Sequence, residues 1–274
     1  MPPEPGILVR ACRSILDGTC AIKLLNRFSR VRYIPAPEAV LNQFLEASCP
    51  VGAWRDLSPQ ARQAWVDFSP VVDGQGIRTI AFVGAHNGTI PLAIDNAFPG
   101  RDLFLLEPAP RTFEALIANT AHRPNVHCFN VAAGSEDTFR DLLVDEFSPA
   151  SSLLPYETMT LQEFPFLGHG TPTRVHVRPL DHVLQECAAG TIDMLLMDVQ
   201  GYEDEVLRGA ETTLAACKVV VSELSLQALY RGSSTFDSVY QALVHRGFRL
   251  RYLLNPIEGT SRRVLQIDGV FIRE

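Results

Sequence analysis

The stretch "IAFVGAHNGTIPL", from Ile80 to Leu92, predicts a buried strand that passes through a tight turn into a helix. The turn contains Gly84 and Gly88, and helical character resumes at Thr89. Glycines let backbone N–H groups approach a ligand, and the N-terminus of the following helix adds positive potential. The spacing G-x-x-x-G differs from the G-x-G-x-x-G of a pyrophosphate-binding turn, which disfavours a dinucleotide. The stretch is therefore either a ligand-binding turn of unusual sequence or a purely structural connection.

Strand-like and helix-like segments alternate from Ile77 to the end of the chain. Apolar strands end at Glu107, Asp198 and Glu223, and amphipathic helical patterns separate them. Continuous apolar strands between helices are typical of a parallel sheet that is covered on both faces. We therefore predict an α/β, Rossmann-like domain whose ligands bind beyond the carboxyl ends of the strands.

The sequence divides into an N-terminal region and a larger domain. Residues 1–76 carry mixed helical patterns broken by prolines, which predicts a helical N-terminal extension or cap. Residues 77–274 form the alternating domain. Within it, residues 140–175 are proline-rich and weakly periodic. A loop of this length is usually functional or disordered, so we interpret it as a lid-like insertion, with a mobile surface insertion as the alternative.

Composition limits the partners that we expect. The 274 residues are 46% hydrophobic and carry a net charge of −7, so no basic field predicts binding to nucleic acid or an anionic membrane. No apolar run has the length of a membrane span, and the N-terminus lacks a signal-peptide core. The 6 cysteines form no C-x-x-C pair, which favours reduced thiols. We expect a cytoplasmic protein with a small-molecule substrate, and a homodimer is compatible with the sequence.

Glu107 strengthens the interpretation of the turn as a ligand site. It ends the strand "DLFLLE" a short distance along the chain from Gly88. An acid about 20 residues beyond such a turn can accept hydrogen bonds from both hydroxyls of a ribose. A nucleoside-bearing cofactor without a pyrophosphate satisfies both observations, and S-adenosylmethionine is such a cofactor.

Asp198 and Glu223 are candidate catalytic and metal-binding residues. Each closes an apolar strand, and a carboxylate in that position is unfavourable unless it is solvated, paired or bound to a metal. If the strands are neighbours, the two carboxylates lie side by side at one rim. They would then bind Mg²⁺ or another divalent cation such as Ca²⁺ or Mn²⁺. The alternative is a pair of hydrogen-bonded structural acids.

From about Ile77 to Leu254 the chain resembles the FkbM family of S-adenosylmethionine-dependent methyltransferases. The segments that carry the resemblance are "VGAHNG", "LLEPAPRTFEALIAN", "IDMLLMDVQGYEDEVLRGA" and "VVVSEL". The resemblance implies a seven-stranded, mostly parallel sheet with an antiparallel last strand. It also implies O-methylation of a hydroxyl on a sugar, polyketide or other secondary metabolite. The predicted cofactor-binding residues are Gly84, Ala85, His86, Asn87, Gly88, Glu107, Ala132 and Asp198.

The chain departs from the family pattern at several positions. The family normally carries Asp at the position of Phe82, and Asn followed by an apolar residue at the positions of His86 and Asn87. It often carries Lys at the position of Met197 and Glu at the position of Gln200. The missing acid at Phe82 motivates an alternative function, a cofactor-binding partner subunit without catalytic activity. A nicotinamide-dependent oxidoreductase is a third alternative, disfavoured by the missing third glycine.

An aliphatic hydroxyl needs activation before it can accept a methyl group. A divalent cation on Asp198 and Glu223 would acidify it, or a side chain would act as general base. Asp198 is one candidate base, and His86 is the candidate among the histidines that lies in the predicted turn. The other histidines considered for this role are His169, His176 and His182.

Overall fold

The computed structural model of the chain describes residues 71–72 and 75–274. The helical extension predicted for residues 1–76 therefore lies almost entirely outside the described residues and stays a prediction. The described part begins with the buried helical pair Val71 and Val72, which packs into the core of the domain that follows.

Strands and helices alternate along the described chain. The strands are β1 (Thr79–Val83), β2 (Asp102–Leu106), β3 (Val126–Phe129), β4 (Ala132–Gly134), β5 (Thr138–Val144), β6 (Thr171–Pro179), β7 (Met194–Met197), β8 (Val219–Ser225), β9 (Phe248–Glu258) and β10 (Val264–Arg273). The helices are α1 (Thr89–Ala97), α2 (Pro110–Thr120), α3 (Thr158–Glu163), α4 (Leu180–Glu186), α5 (Glu203–Arg208), α6 (Glu211–Ala216) and α7 (Phe236–His245), with a 3-10 turn at Ser148–Ala150.

The main sheet has seven strands in the order β3-β2-β1-β7-β8-β10-β9. Pairings among β3, β2, β1, β7 and β8 are parallel, whereas β10 is antiparallel to both of its neighbours. This arrangement confirms the predicted Rossmann-like sheet with an antiparallel last strand. Chain order reverses between β1 and β7, so the carboxyl ends of these two strands border the crevice in which such sheets bind ligands.

Alternating residues of the strands contribute to two separate cores, one on each face of the sheet. Ile80 and Phe82 of β1 lie in the core on one face, and Ala81 and Val83 lie in the core on the other. Side chains of a strand point alternately to opposite faces, so an apolar run without alternation requires cover on both faces. Residues 80–83 of β1 are therefore buried, which holds the turn that follows β1 in a fixed position.

A second sheet is absent from the sequence prediction. This sheet has three strands in the order β4-β6-β5, with β4 and β6 parallel and β5 and β6 antiparallel. The predicted strand "NVHCFNVAAG" is divided into β3 and β4, which belong to different sheets. The segment 140–175 contains most of β5 and β6 together with the 3-10 turn and α3, where the sequence pattern predicted a long loop.

One predicted helix is interrupted. The pattern "YEDEVLRGAETTLAA" predicted a continuous helix, but α5 ends at Arg208 and α6 begins at Glu211. A β-carbon on Gly209 would overlap the backbone carbonyl of Gly134. The two backbone segments therefore approach each other more closely than any residue other than glycine would allow. Every helix in the described part of the chain is too short or too polar to span a bilayer.

Candidate active site

A cavity lies at the carboxyl ends of β1, β2 and β7. It contains about 680 Å³ of empty space, part of which is open to solvent. Its walls come from the turn after β1, the end of β2, the start of β4, the segment after β5 and the end of β7. The lining residues are Val83, Gly84, His86, Glu107, Pro108, Val131, Ala132, Ala133, Leu142, Ser148, Pro149, Ser151, Leu153, Asp198, Val199, Gln200 and Tyr202.

The turn after β1 depends on Gly84. Its φ is +88°, and a β-carbon there would overlap the backbone carbonyl oxygen of Asp198. The N–H groups of Gly84 and Ala85 both donate to the Leu106 carbonyl, at 3.0 and 2.9 Å. These contacts bring the ends of β1, β2 and β7 together around the cavity. Glycine is required here for close approach as well as for its backbone conformation.

The Glu107 carboxylate faces the cavity from the end of β2. Its Oε2 accepts the backbone N–H of His86 and its Oε1 accepts that of Ala109, both at 2.9 Å. A carboxylate has about four acceptor positions, so it can still accept hydrogen bonds from a ligand. Burial raises the pKa of Glu107 to about 7, against the two backbone N–H bonds and with a smaller contribution from the Asp198 charge.

An apolar slot adjoins Glu107. Pro108, Val131, Ala132 and Leu142 line this part of the cavity. Asn130 supports the slot from behind, because its side-chain amide donates to the carbonyl oxygens of Glu107 and Pro108 at 2.9 and 3.1 Å. A ligand could therefore place a flat ring against these apolar residues while a neighbouring polar group of the same ligand forms hydrogen bonds with Glu107.

His86 connects the turn to the segment after β5. Its Nε2 lies 2.7 Å from Ser148 Oγ, and its φ of +50° places it in the left-handed region. Burial lowers the pKa of the imidazole, and a hydrogen bond with the Asn87 side chain opposes this shift. The neutral ring is therefore favoured at the edge of the cavity.

Asp198 and Glu223 converge on one atom. The Gln200 side-chain amide donates from Nε2 to Asp198 Oδ1 at 2.7 Å and to Glu223 Oε2 at 2.9 Å. Asp198 is exposed to the cavity, whereas Glu223 is buried and does not line it. Parallel pairing of β7 with β8 brings the two strand ends together.

Burial raises the pKa values of the carboxyl groups in this region. The pKa of Glu223 is raised well above its ordinary value by burial and then by the charges of Asp198 and Glu203. Glu203, which accepts the Gly201 N–H at 3.1 Å, has its pKa raised to about 7, mainly by burial. The surrounding protein raises the pKa of Asp198, and the hydrogen bond from Gln200 opposes this shift.

The predicted site residues fall into two groups. Gly84, His86, Glu107, Ala132 and Asp198 line the cavity. The predicted cofactor-binding residues Ala85, Asn87 and Gly88 and the predicted metal ligand Glu223 lie behind its wall.

Two of the residues behind the wall shape the turn. Asn87 Oδ1 accepts the N–H and the hydroxyl of Thr89, at 3.1 and 2.7 Å, and so supports the start of α1. Gly88 has a φ of +87°, and a β-carbon there would lie 2.8 Å from Leu116 Cδ1. Both residues hold the turn in place without lining the cavity.

The other candidate histidines lie away from the cavity. His169, His176 and His182 are not among its lining residues. His176 instead pairs with Asp137 at 2.6 Å and stacks on Phe139 in the second sheet.

Three polar lining residues, Gln200, Ser148 and Ser151, were not predicted from the sequence. Gln200 follows Asp198 in the most specific motif, and its polar side chain directly after a buried strand was the available signal. The two serines carried no signal, because a pattern without periodicity does not reveal which residues of a long segment return to the sheet.

The metal hypothesis is not tested by this arrangement. Within residues 71–72 and 75–274, no group of three or more His, Cys, Asp or Glu side chains has the geometry of a metal site. The point shared by Asp198 and Glu223 is taken by the Gln200 amide nitrogen, which is a hydrogen-bond donor and not a metal ligand.

Phe82, at the position where an acid is usual, is a core residue. Its side chain is buried with Ile80 and Leu196 and does not line the cavity. The cavity therefore has no carboxylate from β1, and among the described residues the acids that line it are Glu107 and Asp198.

Comparison with known sequences places the same region in a known family. The sequence model of the Methyltransferase FkbM domain matches residues 83–250, which include the cavity residues listed above. The chain is also 26% identical over 172 residues to the 2-O-methyltransferase NoeI of Sinorhizobium fredii. This match covers 59% of the present chain and 69% of NoeI.

Solved structures show weaker similarity. The O-methyltransferase from Bacillus cereus in complex with SAH has 13% identity and a TM-score of 0.44, covering 91% of this chain and 100% of that one. Aeropyrum pernix fibrillarin with bound S-adenosyl-L-methionine has 13% identity and a TM-score of 0.43, covering 72% and 67%.

Proposed function

The chain belongs to the FkbM methyltransferase family, and on that premise we propose that it is an S-adenosylmethionine-dependent O-methyltransferase acting on a small-molecule hydroxyl. One observation carries the proposal beyond the family. A ribose-type acceptor, Glu107, and a solvent-accessible carboxylate, Asp198, line the same cavity at the crevice of the sheet.

In the proposed complex, the three parts of S-adenosylmethionine contact three parts of the cavity. Glu107 accepts hydrogen bonds from the ribose hydroxyls. The adenine ring lies in the apolar slot formed by Pro108, Val131 and Leu142. The methionine end lies over the turn at Gly84, where the backbone can approach it closely. Charge-assisted hydrogen bonds to Glu107 supply much of the specificity for the nucleoside.

Methyl transfer to a hydroxyl is a displacement in which the acceptor oxygen attacks the methyl carbon in line with the departing sulfur. A C–O bond forms, the C–S bond breaks, and the hydroxyl proton leaves. The products are the methyl ether, S-adenosylhomocysteine and a proton. Holding oxygen and carbon about 3 Å apart in this alignment supplies a large part of the rate.

Asp198 is the proposed acceptor of the hydroxyl proton. Its carboxylate is exposed to the cavity, and one of its oxygens is held by Gln200, which leaves the other for the acceptor. The surrounding protein raises its pKa above the ordinary value, and a carboxylate with a raised pKa is a stronger proton acceptor. His86 is the second candidate base, because its pKa is lowered and the neutral ring has an acceptor nitrogen.

A divalent cation on Asp198 and Glu223 is the alternative means of activating the hydroxyl. It would require the Gln200 amide to move away from both carboxylates, because its N–H groups occupy the shared point. Two converging carboxylates provide the hard oxygen ligands that Mg²⁺ and Mn²⁺ prefer. Chelation of the protein separates this alternative from direct proton transfer to Asp198.

The acceptor is proposed as a hydroxyl-bearing small molecule such as a sugar. The similarity to a 2-O-methyltransferase supports oxygen as the acceptor atom. A practical set of probes is a panel of methyl glycosides of hexoses and deoxyhexoses, which present hydroxyls of differing orientation.

Calorimetry with S-adenosylhomocysteine, followed by transfer assays on this panel, tests the proposal. Binding with a stoichiometry of one and transfer to oxygen are expected. Binding without transfer to any hydroxyl acceptor would favour a catalytically silent partner subunit. Binding of NAD without S-adenosylhomocysteine would favour an oxidoreductase.

A further inference from the structure

The Gln200 side chain lies at the centre of a hydrogen-bond network at the end of β7. Its Nε2 donates to Asp198 and Glu223, and its Oε1 lies 2.9 Å from the hydroxyl of Tyr230. Both N–H groups of the amide therefore have an acceptor, and its oxygen has a donor. Rotation of this side chain would break all three contacts.

The partners of the amide fix its orientation. An ionised carboxylate is an acceptor only, and a protonated carboxyl group keeps an acceptor oxygen, so Asp198 and Glu223 both accept from the NH₂ group of Gln200. The Tyr230 hydroxyl completes the arrangement from the opposite side, because it can donate to Oε1. A reversed amide would place its oxygen against two carboxylates and lose each of these hydrogen bonds.

The same residue is linked to the part of the chain that covers the cavity, here called the covering segment (residues 148–154). The Ser152 hydroxyl donates to the backbone carbonyl of Gln200 at 2.7 Å. The Tyr230 hydroxyl lies 3.0 Å from the Ala150 carbonyl, so its single proton is shared between the covering segment and Gln200. The network thus runs from the covering segment to the Asp198 carboxylate.

Without the amide, Asp198 would have few constraints. Its side chain is exposed to the cavity, and Gln200 is its hydrogen-bond partner among the described side chains. The nearby carboxyl groups of Glu223 and Glu203 repel it whenever they are ionised. A carboxylate in that position turns toward solvent unless a donor holds it.

We propose that Gln200 is a positioning residue for methyl transfer, which holds the Asp198 carboxylate toward the acceptor hydroxyl and links its position to the covering segment. This inference rests on the proposed function. Gln200 touches neither the sulfonium nor the acceptor in this role, and it acts through Asp198.

Two substitutions separate positioning from folding. Gln200 has a φ of +51°, a conformation that asparagine adopts more readily than most residues. Gln200→Asn keeps the amide and the charge but is one methylene too short to reach both carboxylates. Gln200→Met keeps the length and removes the amide. Gln241→Asn, at an exposed position of α7, is the matched control.

Crystal structures of the S-adenosylhomocysteine complexes give a readout that needs no acceptor. In both Gln200 variants we expect the Asp198 carboxylate to move by about 1 Å or more from its wild-type position, a displacement that can reduce a rate roughly 100-fold. The turnover number for trideuteromethyl transfer to the methyl glycosides should fall by about that factor. The KM for S-adenosylmethionine should stay within roughly threefold, because Gln200 contributes no ribose or adenine contact in this account.

The outcomes are separable from those of the proposed function. An unmoved Asp198 carboxylate in both variants overturns the inference, as does an equal loss in the Gln241→Asn control. A KM that rises with an unchanged turnover number also overturns it, because it would make Gln200 a binding residue. If the wild-type protein methylates none of the glycosides, the proposed acceptor class fails, and the position of Asp198 in the complexes still decides the role of Gln200.

Discussion

The Glu107 carboxylate accepts the backbone N–H of His86 at 2.9 Å, which joins the end of β2 to the turn after β1. A second bond from the Ala109 N–H occupies the other oxygen at the same distance. A buried carboxylate is thus held in one orientation before any ligand arrives. In this account, the two strand ends form one preorganised wall of the cofactor site.

Replacing Glu107 with alanine should weaken S-adenosylhomocysteine binding by about 2 kcal/mol, roughly 30-fold, because the ribose hydroxyls lose a charged acceptor. Calorimetric titration of the folded variant measures the change. Glu114→Ala, at an exposed position on α2, is the matched control and should bind like the wild-type protein. Unchanged affinity in folded Glu107→Ala would remove this residue from the site.

Cofactor affinity should depend on pH through Glu107. Burial raises its pKa to about 7 in the cofactor-free protein, so the carboxyl group is mostly ionised at pH 8 and mostly protonated at pH 6. If the ionised form binds the ribose best, the apparent affinity should fall roughly tenfold between these two pH values as the pH is lowered. Titrations across this range test the prediction. Glu107→Gln should show a flatter dependence, and an equally steep one would assign the effect to another group.

Gly84 and Gly100 offer a matched test of close approach. Both have a positive φ, +88° at Gly84 and +81° at Gly100. A β-carbon at Gly84 would overlap the Asp198 carbonyl, whereas a β-carbon at Gly100 would have no atom within 4 Å. The backbone conformation alone should lower the free energy of unfolding by about 1–2 kcal/mol in each alanine variant. Gly84→Ala should lose more than this, together with cofactor binding. Denaturant unfolding that gives equal losses would contradict the packing of the turn.

Methyl transfer should persist after exhaustive chelation, because the Gln200 amide already joins the two carboxylates that would bind a cation. The measurement is the rate of wild-type transfer before and after treatment with EDTA, followed by addition of Mg²⁺ or Mn²⁺. A rate that is lost in chelator and restored by the ion would instead establish the metal hypothesis, with Gln200 displaced on binding.

The fold could be predicted from the sequence because its main strands are buried on both faces. The run 80–83, for example, is entirely apolar, and a segment with a helical pattern follows it. The second sheet could not be predicted. Its strand β5 is largely exposed and carries polar residues such as Arg140 and Asp141, so its pattern resembles that of a loop. Pairing with β6 depends on tertiary contacts.

The site residues that could be predicted are acidic residues at the ends of strands. Glu107 and Asp198 each follow an apolar run, where an acid is conspicuous. Glu223 has the same pattern and lies behind the cavity wall, because its strand is one position further along the sheet. The covering segment was beyond prediction at the level of residues. Ser148 reaches His86 through a fold of the chain that no local pattern encodes.

Methyl transfer itself is the central claim, and labelled transfer tests it most directly. The wild-type protein and Asp198→Asn are incubated with trideuteromethyl S-adenosylmethionine and either the methyl glycosides or a metabolite extract, and the products are analysed by mass spectrometry. The account predicts a trideuteromethyl ether with the wild-type protein. With Asp198→Asn, the rate at saturating S-adenosylmethionine should be at least about 100-fold lower because the general base is lost. Wild-type protein that binds the cofactor but labels no hydroxyl, or an Asp198→Asn variant that transfers at the wild-type rate, would contradict it.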